Sequence, residues 1–184
     1  FCTVDLSAFY FDIRKDALYC DSKDSERRKS SIIVLNIILE SLIKWYAPIL
    51  SFTTEEIFTL INKDKKSIHL EKFIEFPKSF KNEKLNKKWV ELKKIRDICN
   101  ISIEAKRTSK EIGSSLEANL TINLNKNLYE ISNNIDFSEL CITSSVIVEQ
   151  SDTEEVIVNT TKAEGNKCPV CWKINEKKCE RHSS

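Results

Sequence analysis

The residues with the plainest chemistry lie near the end of the chain. Cys168 and Cys171 form a C-x2-C pair, and Cys179 and His182 form a C-x2-H pair after a seven-residue gap. Each pair can sit on a tight knuckle and aim two soft ligands at one point. Two knuckles close a tetrahedron around zinc, whose structural sites take four Cys or His ligands. A segment of about twenty residues buries too little surface to fold alone, so metal would supply most of its folding free energy. Four protein ligands leave no open coordination position, which excludes a catalytic zinc. A redox C-x-x-C would open a helix after a strand, and nothing here supplies that. The competing reading is three unbonded cysteines and a chance histidine on a frayed tail. If His182 does not bind, then water, another chain or a further cysteine completes the set.

A second chemistry surrounds the first. Trp172 follows the first knuckle and Arg181 lies inside the second. Zinc knuckles read unpaired bases by stacking and hydrogen bonding. An indole can stack a base, and an arginine can contact a phosphate or a base edge. The alternative for Trp172 is packing against the metal site. Upstream, residues 83–110 carry Lys84, Lys87, Lys88, Lys93, Lys94, Arg96, Lys106, Arg107 and Lys110 against only Glu83, Glu91, Asp97 and Glu104. Of these, Lys93, Lys94, Arg96, Lys106, Arg107 and Lys110 are the candidate RNA-binding cations. The plain alternative is a solvated basic face. Elsewhere the chemistry is thin. His69 is isolated, there is no glycine-rich phosphate loop, and no catalytic residues can be placed.

Something must position these groups. The chain has 184 residues, 41% of them hydrophobic, with only 2 Gly and 3 Pro, which points to long helices and few loops. Net charge is +1, so any nucleic-acid surface comes from local clustering. The most apolar run, 32–43, is interrupted by Asn36 and Glu40 and is too short for a membrane span of about 20 residues; no membrane partner is expected. Cys2, Cys20, Cys99 and Cys141 are scattered, which fits a reducing, cytoplasmic setting. The absence of Met and the opening Phe1 suggest a piece of a larger protein.

Helical spacing of Leu6, Phe9, Tyr10, Ile13, Ala17 and Leu18 predicts a helix over 3–20. A second, over 26–47, is apolar almost all round and so reads as a central helix, ended by Pro48. Thr53-Thr54-Glu55-Glu56 reads as a capping box opening a helix with Ile57, Leu60 and Ile61. A polar connection over 62–82 precedes the long basic helix. That helix has a core stripe of Trp89, Leu92, Ile95, Cys99, Ile103 and Ala105, and Gly113 reads as its stop. Trp45 and Trp89 sit at core spacing. Beyond Gly113, 116–124 alternates like a strand, 127–135 reads as a short helix, and 141–149 and 155–161 are β-rich. The expected architecture is mainly α: a helical domain over 1–112, a small α+β junction over 113–163 and a zinc-binding unit over 164–184.

Several segments resemble a known family. Residues 5–20, from Asp5-Leu6-Ser7-Ala8-Phe9-Tyr10 to Leu18-Tyr19-Cys20, resemble the entry to the anticodon-binding helical domain of bacterial-type isoleucyl-tRNA synthetases. Ala47-Pro48-Ile49-Leu50-Ser51-Phe52-Thr53-Thr54-Glu55-Glu56-Ile57 resembles a helix junction shared by class I synthetases for aliphatic amino acids. Arg96, Ile103-Glu104-Ala105-Lys106 and Lys110-Glu111-Ile112-Gly113-Ser114-Ser115-Leu116-Glu117-Ala118 resemble the family's long helix and its exit. Gly165-Asn166-Lys167-Cys168 through Trp172 is similar to the C-terminal zinc unit. The resemblance implies a bundle, junction and zinc unit that together hold the anticodon stem-loop of tRNA(Ile). The whole enzyme, expected as a cytoplasmic monomer, would join isoleucine to that tRNA using ATP and Mg. Its nucleotide-binding signatures are absent here, so catalysis and editing would belong to the remainder of the same chain. Two departures stand out: Val170 replaces the usual Arg before the second Cys, and His182 replaces a fourth Cys. Other classes left open are a stand-alone zinc-ribbon regulator of nucleic acid and a structural protein-interaction module.

Overall fold

The computed structural model describes residues 1–64 and 66–182. In chain order the elements are a widely wound helical segment Cys2–Phe11, then α1 (Asp12–Cys20), α2 (Glu26–Tyr46), α3 (Ser51–Ile61), single helical turns at Ile68–Leu70 and Lys78–Phe80, α4 (Glu83–Thr108), a turn at Ser115–Glu117, β1 (Ala118–Leu124), α5 (Lys126–Ser132), α6 (Phe137–Leu140), β2 (Ser145–Gln150), β3 (Ile157–Lys162), β4 (Asn166–Lys167) and β5 (Ile174–Asn175). The chain is mainly helical, with a small sheet. It divides into two compact units. One joins Phe1–Cys20 to everything from Asn82 onward, and the other is Asp21–Lys81.

In the larger unit the core forms where α4 meets the sheet. Leu92, Ile95, Cys99 and Ile103 recur every three or four residues and are all buried, as one face of a helix must be. Ala105 of the expected stripe is exposed instead, because it points off that face. β1 alternates strictly: Ala118, Leu120, Ile122 and Leu124 are buried, and the residues between them are half-buried. The sheet order is β2-β1-β3. β1 pairs parallel with β2 (Leu120 opposite Val146) and antiparallel with β3 (Ile122 opposite Val158). A parallel pair needs a crossover, and α5 and α6 supply it. Asn125 caps α5 by accepting from the Leu128 amide at 3.0 Å, and Asp136 caps α6 by accepting from the Ser138 and Glu139 amides at 2.9 and 3.2 Å.

Phe137, Leu140, Cys141 and Ile112 complete this core, with Ile13 of α1. A hydrogen bond with Cys99, together with burial, pushes the Cys141 thiol far up, so both cysteines behave as small hydrophobes. Trp89 packs on the core, edge-on to Phe9 at 6.3 Å between centroids. The expected single helix over 3–20 is two pieces. The first is wound wide, with the Leu6 amide reaching Phe1 O at 3.1 Å, and α winding begins at Asp12. α4 ends before Gly113. Lys110 takes the left-handed conformation (φ 59°), its amide meets Arg107 O at 3.0 Å, and the Glu111 amide meets Lys106 O at 3.1 Å. This is the double bond pattern of a helix C-terminus that glycine usually completes.

The unit Asp21–Lys81 has a smaller core of Ile43, Ala47, Phe58 and Ile68. α2 is capped by Ser25, whose hydroxyl accepts from the Arg28 amide at 3.4 Å. Its apolar surroundings were expected to bury it on every side. Ile32, Ile33, Val34 and Leu39 are exposed instead, and Trp45 is 47% exposed rather than core, because the described part of this unit has only α3 and two single turns besides α2. The capping box does not form either. α3 begins at Ser51, so Thr53 and Thr54 already lie inside the first turn, and the Thr54 hydroxyl donates back to Leu50 O at 3.0 Å. Glu55 is used differently: its carboxylate accepts from Ser67 Oγ and the Ile68 amide, both at 2.9 Å. Among the described residues no helix is long and apolar enough to cross a membrane.

Candidate metal centre and nucleic-acid interface

Strands β4 and β5 form a short hairpin, with Asn166 opposite Asn175 and Lys167 opposite Ile174. The first knuckle closes it. The Cys168 amide donates to Lys173 O at 2.9 Å, and the Trp172 amide donates back to Cys168 O at 3.0 Å. Gly165 leads in with φ 122°, where a Cβ would collide with the Asn175 carbonyl, so only glycine fits. The second knuckle is a turn in which the His182 amide donates to Cys179 O at 3.1 Å.

These two turns bring four ligand atoms together. The thiols of Cys168, Cys171 and Cys179 and a ring nitrogen of His182 all lie within 4.8 Å of one another. Cys171 Sγ is 3.9 Å from Cys179 Sγ, and His182 Nδ1 is 3.5 Å from Cys168 Sγ and 3.4 Å from Cys179 Sγ. A tetrahedron with bonds of about 2.3 Å has edges of roughly 3.8 Å, so the cluster could hold one metal ion. Burial opposes ionisation of Cys168. The amides of Cys171 and Val170 and the side chains of Cys171 and His182 outweigh it and hold the thiol down at about 6. Burial, with the Cys168 and Cys179 thiols, pushes Cys171 up to about 12. The two thiols thus share one hydrogen-bonded proton balance, and a cation among them would favour the thiolate form of both.

The cluster rests on α1 and α6. Arg181 Nη1 meets Asp16 at 2.8 Å, His182 Nε2 meets Cys20 O at 2.9 Å, and Cys20 Sγ meets Val170 O at 3.6 Å. Lys173 Nζ donates to Ser138 Oγ at 2.9 Å, and the Ile174 amide to Ser144 Oγ at 2.6 Å. Trp172 does not pack under the site. It is 58% exposed, holds φ 62°, and has Lys167 Nζ 5.5 Å from its ring. It lines a groove of about 400 Å³ with Tyr19, Ile142 and Val170, and Lys15 and Lys173 also border it. Tyr19, 81% exposed, went unnoticed in the sequence because its helical spacing does not mark it.

The α4 cations are spread along the helix, from Lys93 to Arg107 over roughly 21 Å at 1.5 Å per residue, with Lys110 just past its end. Lys93 pairs with Asp5 at 3.2 Å and lies 4.6 Å from the Phe9 ring. Arg96 donates to Leu140 O at 2.9 Å and also lies over Phe9, at 5.3 Å, which ties it into the fold. Lys94, Lys106 and Arg107 pair with Glu91, Glu111 and Glu104 at 2.6–2.8 Å. Such exposed pairs contribute little and exchange readily. Arg107 and Lys110 share an open recess with Gly113 at the end of α4.

A helical arm that continues into a small sheet and a Cys/His knuckle defines a class. The profile of the family described as the anticodon-binding domain of tRNA ligase matches residues 1–122, and the chain belongs to that family. Its relatives are isoleucine–tRNA ligases, and the resemblance read from the sequence stands. The chain is 80% identical over 183 residues to the isoleucine–tRNA ligase of Pelagibacter ubique, covering 100% of this chain and 20% of that protein, in its C-terminal part. It is 40% identical over 185 residues to that of Agrobacterium fabrum (95% and 19%) and 40% identical over 187 residues to that of Bartonella henselae (96% and 19%). The chain therefore spans about a fifth of the length of the curated relatives it matches.

Proposed function

We propose that this chain is the part of an isoleucine–tRNA ligase that grips the anticodon stem-loop of tRNA(Ile). The observation that carries the reading is Trp172: a large aromatic held out on a metal knuckle, in a family that binds anticodons. Cys168, Cys171, Cys179 and His182 hold one zinc ion, and the Cys3His set is an ordinary structural one. Zinc keeps the knuckle rigid, so that Trp172 stacks a splayed base over the groove floor and Tyr19 lines the far wall. Arg181 gives up part of its contact with Asp16 to reach a phosphate. Lys94, Lys106 and Arg107 trade exposed partners for backbone phosphates and Lys110 joins them at the helix end, while Lys93 and Arg96 shape that surface from their ties within the fold. The functional division is a helical arm over 1–112, a junction over 113–163 and the zinc unit. ATP, Mg and isoleucine belong to the remainder of the enzyme, which works as a monomer in the cytoplasm.

A filter-binding titration tests this, with zinc and with chelator, against tRNA(Ile) and the same tRNA with a swapped anticodon. Zinc-dependent preference for the isoleucine anticodon is expected. Equal affinity for both tRNAs, unaffected by chelation, would overturn the assignment of readout to the knuckle.

A further inference from the structure

His182 stands near the end of the chain, yet its ring is held on both edges. Nε2 lies 2.9 Å from the Cys20 carbonyl oxygen. A carbonyl only accepts, so Nε2 carries the proton. In the neutral ring Nδ1 is then a bare lone pair, and Nδ1 is the atom turned to the sulfurs, 3.5 Å from Cys168 and 3.4 Å from Cys179. The hydrogen bond therefore selects both the tautomer and the ligating atom.

The acceptor matters as much as the ring. Cys20 is the last residue of α1. Carbonyls in the last turn of a helix have no intrahelical partner and sit at the negative end of the helix dipole. Ligating histidines commonly donate their other N–H to such an oxygen, which orients the ring and raises its basicity. Two further ties bind the same helix end to the two knuckles. Arg181 meets Asp16 one turn back, and Cys20 Sγ meets Val170 O.

We propose that metal loading and fixation of the α1 C-terminus are one event. His182 ligates through Nδ1 while its Nε2–H holds the Cys20 carbonyl, so the metal clamps the helix and the helix aims the fourth ligand. This rests on the reading that the cluster holds a divalent ion. The chemistry supplies its own control. A cysteine at 182 can ligate, but a thiolate has no second N–H to give. His182→Cys should therefore keep the metal and loosen the last turn of α1, while Ile13 keeps the start of the helix in the core.

The experiment uses the full chain with zinc and with Co²⁺ as a spectroscopic probe, and reads hydrogen exchange of the α1 amides and ¹⁵N resonances of the His182 ring. Expected is ligation at Nδ1 with a slowly exchanging Nε2–H, and α1 amide exchange that speeds up at least about tenfold on chelation, as for a segment released from its dock. His182→Cys should show an all-thiolate Co²⁺ spectrum with exchange in the last turn of α1 faster than in the metal-loaded wild type and moving toward that of the chelated chain. Ligation through Nε2, α1 exchange indifferent to metal, or full α1 protection in His182→Cys would each overturn the clamp while leaving the metal site standing. A wild-type chain that takes up no Co²⁺ would overturn both.

Discussion

Replacing Trp172 by glycine separates folding from recognition. The residue is 58% exposed, so less than half of a side chain of roughly 200 Å² is covered, about 80 Å². At ~25 cal/mol per Å² that cover contributes ~2 kcal/mol. Against it stands the backbone. Trp172 holds φ 62°, a conformation that costs a side chain with a Cβ about 1–2 kcal/mol and costs glycine almost nothing. The two terms nearly cancel, so Trp172→Gly should unfold within ~1 kcal/mol of wild type, with zinc affinity kept. The stack it removes is worth about 1–3 kcal/mol per base, which is a fall in RNA affinity of roughly 5- to 150-fold. The assay pairs chelator-dependent thermal unfolding with filter binding to tRNA(Ile) at low salt. An unchanged RNA affinity would refute the stacking role. A large loss of stability would refute the argument that the strained backbone is retained for something other than folding.

Two further predictions concern residues the structure ties into the fold. Arg96→Ala removes a charged donor from Leu140 O and a cation over Phe9, so stability should fall by about 2–4 kcal/mol, whereas Lys94→Ala should change it by less than ~0.5 kcal/mol. Urea melts check this, and an Arg96→Ala chain that melts like wild type but binds RNA poorly would make Arg96 a direct contact instead. At Asp136, desolvation pushes the carboxyl up, but the Ser138 hydroxyl, the Glu139 and Ser138 amides and nearby Lys173 outweigh it and hold it below the usual carboxylate value. A folded value below the unfolded ~3.9 means the contribution is complete above about pH 4 and is lost as pH falls through the folded value. Asp136→Ala should therefore cost ~1 kcal/mol at pH 7, and its gap from wild type should close under acid; a gap constant from pH 7 to pH 2 would exclude the carboxylate as its source.

Periodicity made some of this structure legible and not the rest. Leu92, Ile95, Cys99 and Ile103 could be read as one helix face, and Ala118 to Leu124 as a strand, because burial repeats at 3.6 and at 2 residues. Cys168, Cys171, Cys179 and His182 were legible as one cluster because knuckle spacing constrains geometry locally. What stayed hidden depended on tertiary partners. The apolar run in α2 reads as a core helix, but its exposure depends on what is packed against it. α3 starts at Ser51, two residues ahead of the Thr53 that the expected box needs, and Glu55 turns to Ser67 and Ile68, more than ten residues away. No spacing could announce that a backbone carbonyl at Cys20 faces a ring at 182.

The charge pattern bears on how such a chain can recognise a polyanion at all. With a net charge of +1, it has no strong general field to draw RNA in. Lys94 and Arg107 on α4 already sit against acids three residues away, and Lys106 against Glu111. A phosphate contact by any of these three would be an exchange, one exposed pair for another, and the gain would be small and salt-sensitive. A surface built this way can orient a stem but discriminates little between sequences, since phosphates carry no sequence information. Discrimination has to come from a feature that gains only when an unpaired base is present. The exposed indole beside the groove has that property: no aromatic ring stacks on it among the described residues, and a base that stays paired in a stem leaves it in water. On the proposed reading a metal would serve specificity through rigidity, because a stack on a knuckle free to rotate would lose its energy to ordering the knuckle.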